Sequence, residues 1–381
     1  MKEPRFTLGI EEEYLIVDKV TRELVRDLPA KLIEHCEALS QGQQVKPEFL
    51  RSQIEIGTRV CDTVADARES LGVLRRSVID ATAEHGLAPL AASTHPFANW
   101  HGQEHTARER YDVLSQEMQA AARRMVICGM HVHVGIDDDE LRVDLMSQFS
   151  YFIPHLLALS CSSPFWEGED TGLKSYRLTV FDALPRTGIP EQFSSYAEYR
   201  RHVAMLIGAG VIEDATKIWW DVRPSDRYPT LETRVMDVCT RLDDAICIAA
   251  IIVSSLRMLW RLRARNQSWR KYAPMLISEN RWRAMRYGTD EGLIDLGTGR
   301  IVAFADLMAE LVELIHEDAR QLGCADHVEH ALVIAQRGTS AHAQLREFAA
   351  ALEDGADPRA AMCRVVDSLA AITGEGLGVD A

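Results

Sequence analysis

The first extended pattern in the chain alternates. Along residues 6–17 (FTLGIEEEYLIV), Phe6, Leu8, Ile10, Tyr14 and Ile16 fall on one parity, and Thr7, Gly9, Glu11 and Glu13 on the other. Side chains two apart on a strand share a face. The stretch therefore predicts a strand with two carboxylates side by side, next to a glycine that leaves room. Glu12 is the odd member, because it falls among the apolar residues. Alternation recurs in residues 53–58 (QIEIGT), where Ile54 and Ile56 oppose Gln53, Glu55 and Gly57. It recurs in residues 127–136 (ICGMHVHVGI), where an apolar face opposes Gly129, His131, His133 and Gly135. Residues 219–223 place Trp219, Asp221 and Arg223 on one face, and residues 230–238 pair Glu232 with Arg234. Residues 87–94 read as a buried strand, and residues 176–181 as a short strand that carries Arg177. A turn at residues 18–21 lets residues 23–25 pair back as a hairpin.

Helical spacing fills the rest. It covers residues 29–39, a long amphipathic helix capped by Asp62 and running to about His85, then residues 104–124, 140–159 and 193–212. From residue 242 onward the pattern is helical, with a central apolar stretch at 245–263 and amphipathic stretches at 304–322, 328–337, 340–352 and 357–372. Residues 160–172 form a Ser/Pro/Gly-rich loop, a candidate lid or ligand loop. Each predicted strand has one apolar and one polar face, unlike the fully apolar strands of a parallel sheet. The fold class is therefore α+β: an antiparallel sheet with helices behind it and a wet, functional face in front. No repeat or long linker divides the chain. It reads as one catalytic domain over residues 1–381, sheet-forming to about 240 and helical over about 241–375.

Composition narrows the function. Hydrophobic residues make up 47% of the 381, enough for a large core, and the formal net charge is −15. Such a charge disfavours nucleic acid or an anionic membrane as the main partner. A small anionic ligand remains compatible, since a local arginine cluster or a metal reverses the sign inside a pocket. The N-terminus lacks the basic-then-apolar pattern of an export signal, and the longest apolar run, residues 245–253, is far shorter than a membrane span. The eight cysteines are scattered without a CxxC pair. These features read as a reduced, cytoplasmic protein.

On the predicted sheet, five strands each present a polar pair: Glu11/Glu13, Gln53/Glu55, His131/His133, Asp221/Arg223 and Glu232/Arg234. Any one pair is ordinary solvated surface. Together they are mainly Glu, His and Arg, without lysine, which an ordinary wet face would include. Four carboxylates with one or two imidazoles suit hard divalent ions: Mg²⁺, or Mn²⁺ because of the histidine ligand. Zinc fits less well, because no cysteine accompanies the histidines. Arginines among acids fit a bound carboxylate or phosphate. Neither GxxxxGK[ST] nor GxGxxG occurs, so a bound nucleotide would be held by metal ions and arginines. A metal-dependent hydrolase using the HxH pair is the alternative from these residues, and a binding protein on a retired enzyme fold is another.

Seven motifs in this order (GIEEEYLIVD, QIEIGT, GMHVHVGI, SSPFWEGEDTG, SYRLTVFDALPRTG, WWDVRPS and TLETRVMD) resemble the bacterial carboxylate-amine ligases of the glutamate–cysteine ligase type 2 family, most closely its subgroup with weak glutamate–cysteine ligase activity. The resemblance runs over residues 6–245. It implies a curved antiparallel sheet with outer helices, related to the glutamine synthetase catalytic domain. It also implies ATP, Mg²⁺ or Mn²⁺, amide formation through an acyl phosphate, amino-acid carboxylate and amine substrates, and a homodimer. The implied metal ligands are Glu11, Glu13, Glu55, His131 and Glu232. Glu48, seven residues before Glu55, is a further acid that a regular strand would put on the opposite face. Arg234 is expected at the transferring phosphoryl group beside Glu232. Arg177 and Arg223 are expected at the substrate carboxylate or the phosphates. His133 and Asp221 are expected to contact substrate or nucleotide, although an Asp221–Arg223 salt bridge would account for that pair equally well.

Overall fold

The long N-terminal strand organises the sheet because both of its edges are paired. In the computed structural model, which describes residues 2–377 apart from the side chains of residues 110 and 114, this strand, β1, spans Leu8–Asp18. Six further strands join it: β2 (Gln44–Pro47), β3 (Gln53–Gly57), β4 (Leu87–Leu90), β5 (Met130–Gly135), β6 (Val222–Pro224) and β7 (Thr230–Thr233). The strand order is β6-β7-β5-β1-β3-β2, with β4 taking over from β3 along the second half of β1. All of these pairings are antiparallel, as the alternating strands require.

The apolar parity of β1 faces the core: Leu8, Ile10, Tyr14 and Ile16 are buried. Glu12 goes with them and is fully buried. Arg75, on the helix Val64–Ala83, meets it through two hydrogen bonds of 2.9 and 2.7 Å, and the Tyr14 hydroxyl donates to it as well. Arg75 also donates to the carbonyls of Cys239 and Thr240, so the odd glutamate ties β1 to the chain that follows β7. That helix is capped by Thr63 in a reciprocal capping box with Asp66, not by Asp62.

Behind the sheet runs the helix Leu242–Ala264, the apolar stretch expected at 245–263. It has the length and composition of a membrane span, but most of it lies buried in the core. The last four helices, Phe304–Gln321, Ala325–Arg337, Ser340–Glu353 and Pro358–Thr373, fall within a few residues of the expected spans. The helix Pro274–Tyr287 falls within the region read as helical, and the hairpin Leu293–Asp295/Arg300–Val302 interrupts that region.

Three local expectations fail. Residues 177–181 are helical rather than extended, so Arg177 projects from a helix start. The stretch 219–223 is split: Trp219–Trp220 pairs parallel with Thr187–Gly188, and only Val222 onward joins the main sheet. The loop 160–172 is an anchor for much of its length. Ser162 and Ser163 are buried on Asp237, and Phe165–Trp166 pairs with Glu169–Asp170. Cys161, in this loop, is fully buried and donates to the Leu157 carbonyl, as a packed thiol does.

Candidate active site

The antiparallel register arranges the polar parity into rows across six strands. In one row Arg223, Glu232, His133 and Gly9 are successive partners on β6, β7, β5 and β1. In the next, His131, Glu11, Gly57 and Gln44 lie across β5, β1, β3 and β2. In the third, Glu13, Glu55 and Lys46 lie across β1, β3 and β2. One sheet face thus gathers nearly all the residues expected there.

The densest cluster is acidic. Carboxylate oxygens of Glu13, Glu48 and Glu55 lie within 4.8 Å of one another. Glu48 joins because the β2–β3 connection is a tight turn, so it belongs to the turn and not to the strand of Glu55. That hairpin supplies the irregularity that its seven-residue offset demanded. Burial and the Glu55 charge push Glu13 up to about 7. Burial and Glu48 push Glu55 well above the carboxylate range, and burial raises Glu48 too. Lys46 sits 2.6 Å from Glu55 and offsets part of the repulsion. Three oxygen donors on so small a perimeter, each resisting ionisation, fit a hard divalent cation, whose charge would remove that resistance.

Beside it, Glu11 accepts from His131 at 3.2 Å and faces His133 at 3.8 Å. Burial alone would raise Glu11, but its interactions with these two histidines outweigh burial and hold it well below the carboxylate range. Burial and Arg234 lower His131 to about 4. His133 is raised instead: its bond to Glu11 and the Glu232 charge overcome burial. Glu232 is drawn the other way, into a fork with Arg223 (2.9 and 3.2 Å) and a contact with Arg234. These arginines overcome its burial and keep it ionised. Glu11, His131 and Glu232 therefore share the face without closing into a tight triad like the three glutamates.

Two cavities open on this face. A cavity of about 440 Å³ is lined by Leu8, Gly9, Ile10, Glu11, His133 and Tyr228 among others. A tighter one of about 120 Å³ is lined by Glu13, Glu48, His131, Arg177, Lys217 and Arg234 among others. Arg177 is almost fully buried, with long bonds to the carbonyls of Val235 (3.3 Å) and Arg234 (3.4 Å) and an unpartnered Nε. It lies against Gly129, where an added Cβ would sit 2.8 Å from its Cζ, so only glycine leaves room for it. Arg223 and Asp221 line neither cavity. Besides Glu232, Arg223 holds the carbonyls of Thr216 and Ile218. Asp221 is buried on Arg281 at 2.7 Å, so the Asp221–Arg223 pair considered from sequence does not form. The face also carries two lysines, Lys46 and Lys217, contrary to expectation. Both lie outside the alternating motifs, one on the edge strand β2 and the other in a short 3₁₀ turn before β6.

A face that gathers carboxylates suited to cations and arginines suited to anions, with two cavities opening on it, has the character of an active site. Residues 7–364 match glutamate-cysteine ligase family 2, and the chain belongs to that family. It is 60% identical to a protein of Rhodospirillum rubrum named "Putative glutamate--cysteine ligase 2", over 100% of this chain and 99% of the other. It is 55% identical to a protein of the same name from Ruegeria pomeroyi, over 94% and 93% of the two chains. Its fold is similar to that of a glutamate–cysteine ligase from Francisella tularensis solved in complex with AMP (TM-score 0.68, 15% identity, 100% of this chain and 91% of the other). A bifunctional glutathione synthetase from Pasteurella multocida has a similar fold (TM-score 0.69, 15% identity, 97% of this chain and 53% of the other). The chain is thus an ATP-dependent ligase that forms carbon–nitrogen bonds, which sets the hydrolase alternative aside.

Proposed function

We propose that the protein joins an amino-acid carboxylate to an amine through an acyl phosphate, with weak glutamate–cysteine ligase activity, and that Mg²⁺ or Mn²⁺ serves it. The observation that carries this reading is the trio Glu13, Glu48 and Glu55, three raised carboxyls within 4.8 Å beside the arginine-lined cavity. These residues would hold one ion, and Glu11, His131 and Glu232 a second. Bound metal would supply neutralisation of the phosphate and carboxylate charge that meet in the first step.

The chain's own groups divide the remaining work. The 440 Å³ cavity, with apolar walls at Leu8, Ile10 and Val60 and an aromatic ring at Tyr228, suits the nucleotide base and sugar. His133 lines that cavity beside Glu11, where it would hold a phosphate oxygen. Arg234, which lines the smaller cavity and has an unpartnered Nε, would stabilise the phosphoryl group in transfer. Arg177, a buried cation with long bonds, is placed for a substrate carboxylate. In the first step the carboxylate oxygen attacks the terminal phosphorus and the P–O bond to ADP breaks. In the second, the amine attacks the acyl carbon, phosphate leaves, and the amine loses a proton. A homodimer remains the family-based expectation.

Phosphate release from ATP with Mg²⁺ or Mn²⁺, glutamate, and cysteine or a panel of other amines tests the reading. Release that needs both acid and amine, with the matching amide by mass spectrometry, is the expected result. ATP binding without turnover on any pair would refute the glutamate–cysteine assignment, and release that needs no amine would refute amide formation.

A further inference from the structure

The smaller cavity has a cation that the assigned chemistry does not use. Lys217 is 6% exposed, held in the short turn Ala215–Lys217 ahead of β6. Its ion pair is a loose one, 3.9 Å to Glu213, whose side chain is 68% exposed. A contact of that length to a solvated carboxylate offsets little of the cost of burying an ammonium. The turn itself is fixed from outside the cavity. Asp214 caps it through the Thr216 N–H, and the Lys217 carbonyl accepts from Arg186. The lysine is thus carried on a held backbone and lines the same space as Glu13, Glu48 and Arg177.

Acids, cations and apolar side chains line that space together: Glu13 and Glu48, Arg177, Arg234 and Lys217, with Phe181, Leu184 and Trp219. Arg177 lies close to Glu13, against the glycine whose N–H donates to Glu13. A monocarboxylic acid, its one carboxylate taken up in the reaction, would leave Lys217 with only its loose contact to Glu213. An acid with a second anionic group would supply a closer partner.

We propose that Lys217 is a specificity-determining residue that, with Arg177, binds the non-reacting carboxylate of the acid substrate and so selects dicarboxylic amino acids. This rests on the ligase reading above and adds the identity of the acid-recognising group.

The test compares wild type with Lys217→Met and Lys217→Arg, using L-glutamate and its α-amide, isoglutamine. Phosphate release gives KM for acid and for ATP, and calorimetry measures binding of each acid with a non-hydrolysable ATP analogue and Mg²⁺ present. In wild type, isoglutamine is expected to bind at least tenfold more weakly than glutamate. Lys217→Met should raise KM for glutamate at least tenfold, leave KM for ATP within twofold, and abolish the preference over isoglutamine, while Lys217→Arg restores most of it. A purely structural lysine would not erase discrimination between the two acids. An unchanged glutamate KM in Lys217→Met, equal binding of both acids by wild type, or no binding of glutamate overturns the proposal, and the second and third need no variant to fold. Absence of ATP turnover with any acid and amine counts against the ligase reading instead, and calorimetry still scores Lys217 in that case.

Discussion

Carboxylates as close as those of Glu13, Glu48 and Glu55 repel one another when no cation is bound, so the proposed metal role predicts a local destabilisation there. Glu13→Gln keeps an acceptor for the Gly129 N–H, 2.7 Å away, while removing one charge. The variant is therefore expected to unfold at the same temperature as wild type or higher without metal, to lose the metal-induced rise in midpoint, and to lose ATP turnover by at least a hundredfold. Glu232→Gln should lose turnover as well, but without the thermal gain, since it breaks a charge-assisted fork with Arg223. Thermal melts with and without Mg²⁺ and a phosphate-release assay read both effects, and normal turnover in either variant would contradict its role. The Glu13 carboxyl, near 7, must give up its proton before it can ligate. Metal affinity should then rise with pH between 6 and 8, with proton release on binding at pH 6. Calorimetry in buffers of different ionisation enthalpy measures that release, and a pH-independent affinity between 6 and 8 would exclude Glu13 as a ligand.

At the scale of single elements, most of the face was readable from parity alone. Alternation in residues 6–17, 53–58 and 127–136 puts Glu11, Glu13, Glu55, His131 and His133 on one side whatever the strands pair with, because the side-chain period is fixed. What parity cannot convey is a residue whose position comes from a turn or a helix. Glu48 arrives through a hairpin turn, Arg177 from a helix start, and Lys217 from a capped 3₁₀ turn. Asp221 shows the converse. It has the right parity, but the chain changes sheets at that residue, and it turns to Arg281, sixty residues on, which no local pattern pairs with it. Glu12 looked anomalous by the same rule, and the anomaly marked a partner far along the chain. Removing one member of a buried pair leaves the other charge uncompensated, at a cost of about 3–5 kcal/mol. Glu12→Ala is therefore expected to destabilise by that amount in urea unfolding. The double substitution Glu12→Leu/Arg75→Met should recover a large part of it. A double variant as unstable as the sum of the two single ones would show that the pair does not act as a unit.

Across the whole molecule, the same burial that builds the site also sets a lower limit on the pH the fold withstands. His95 is 2% exposed and far from the acidic face. Its Nδ1 accepts from the backbone N–H groups of Phe97 and Ala98, and its Nε2 bonds the Arg22 carbonyl. Burial lowers its pKa to about 4. His155, buried on the helix Ile153–Ser160, is lowered to about 4 for the same reason. An unfolded chain takes up these protons near pH 6.5 and the folded one only near 4, so the unfolded state binds more protons between those values. Stability contributed by neutral His95 is therefore complete above about 6.5, falls as the pH drops from there to about 4, and is absent below. A shift from 6.5 to about 4 corresponds to about 3 kcal/mol. His95→Asn keeps an oxygen acceptor for the two N–H groups and loses the bond to Arg22, so it should cost about 1 kcal/mol at pH 7.5. Its stability should then fall less than that of wild type on going to pH 4.5, bringing the two urea midpoints together or reversing their order. Parallel loss of stability in both proteins over that range would mean that His95 is not the group whose protonation opposes the fold.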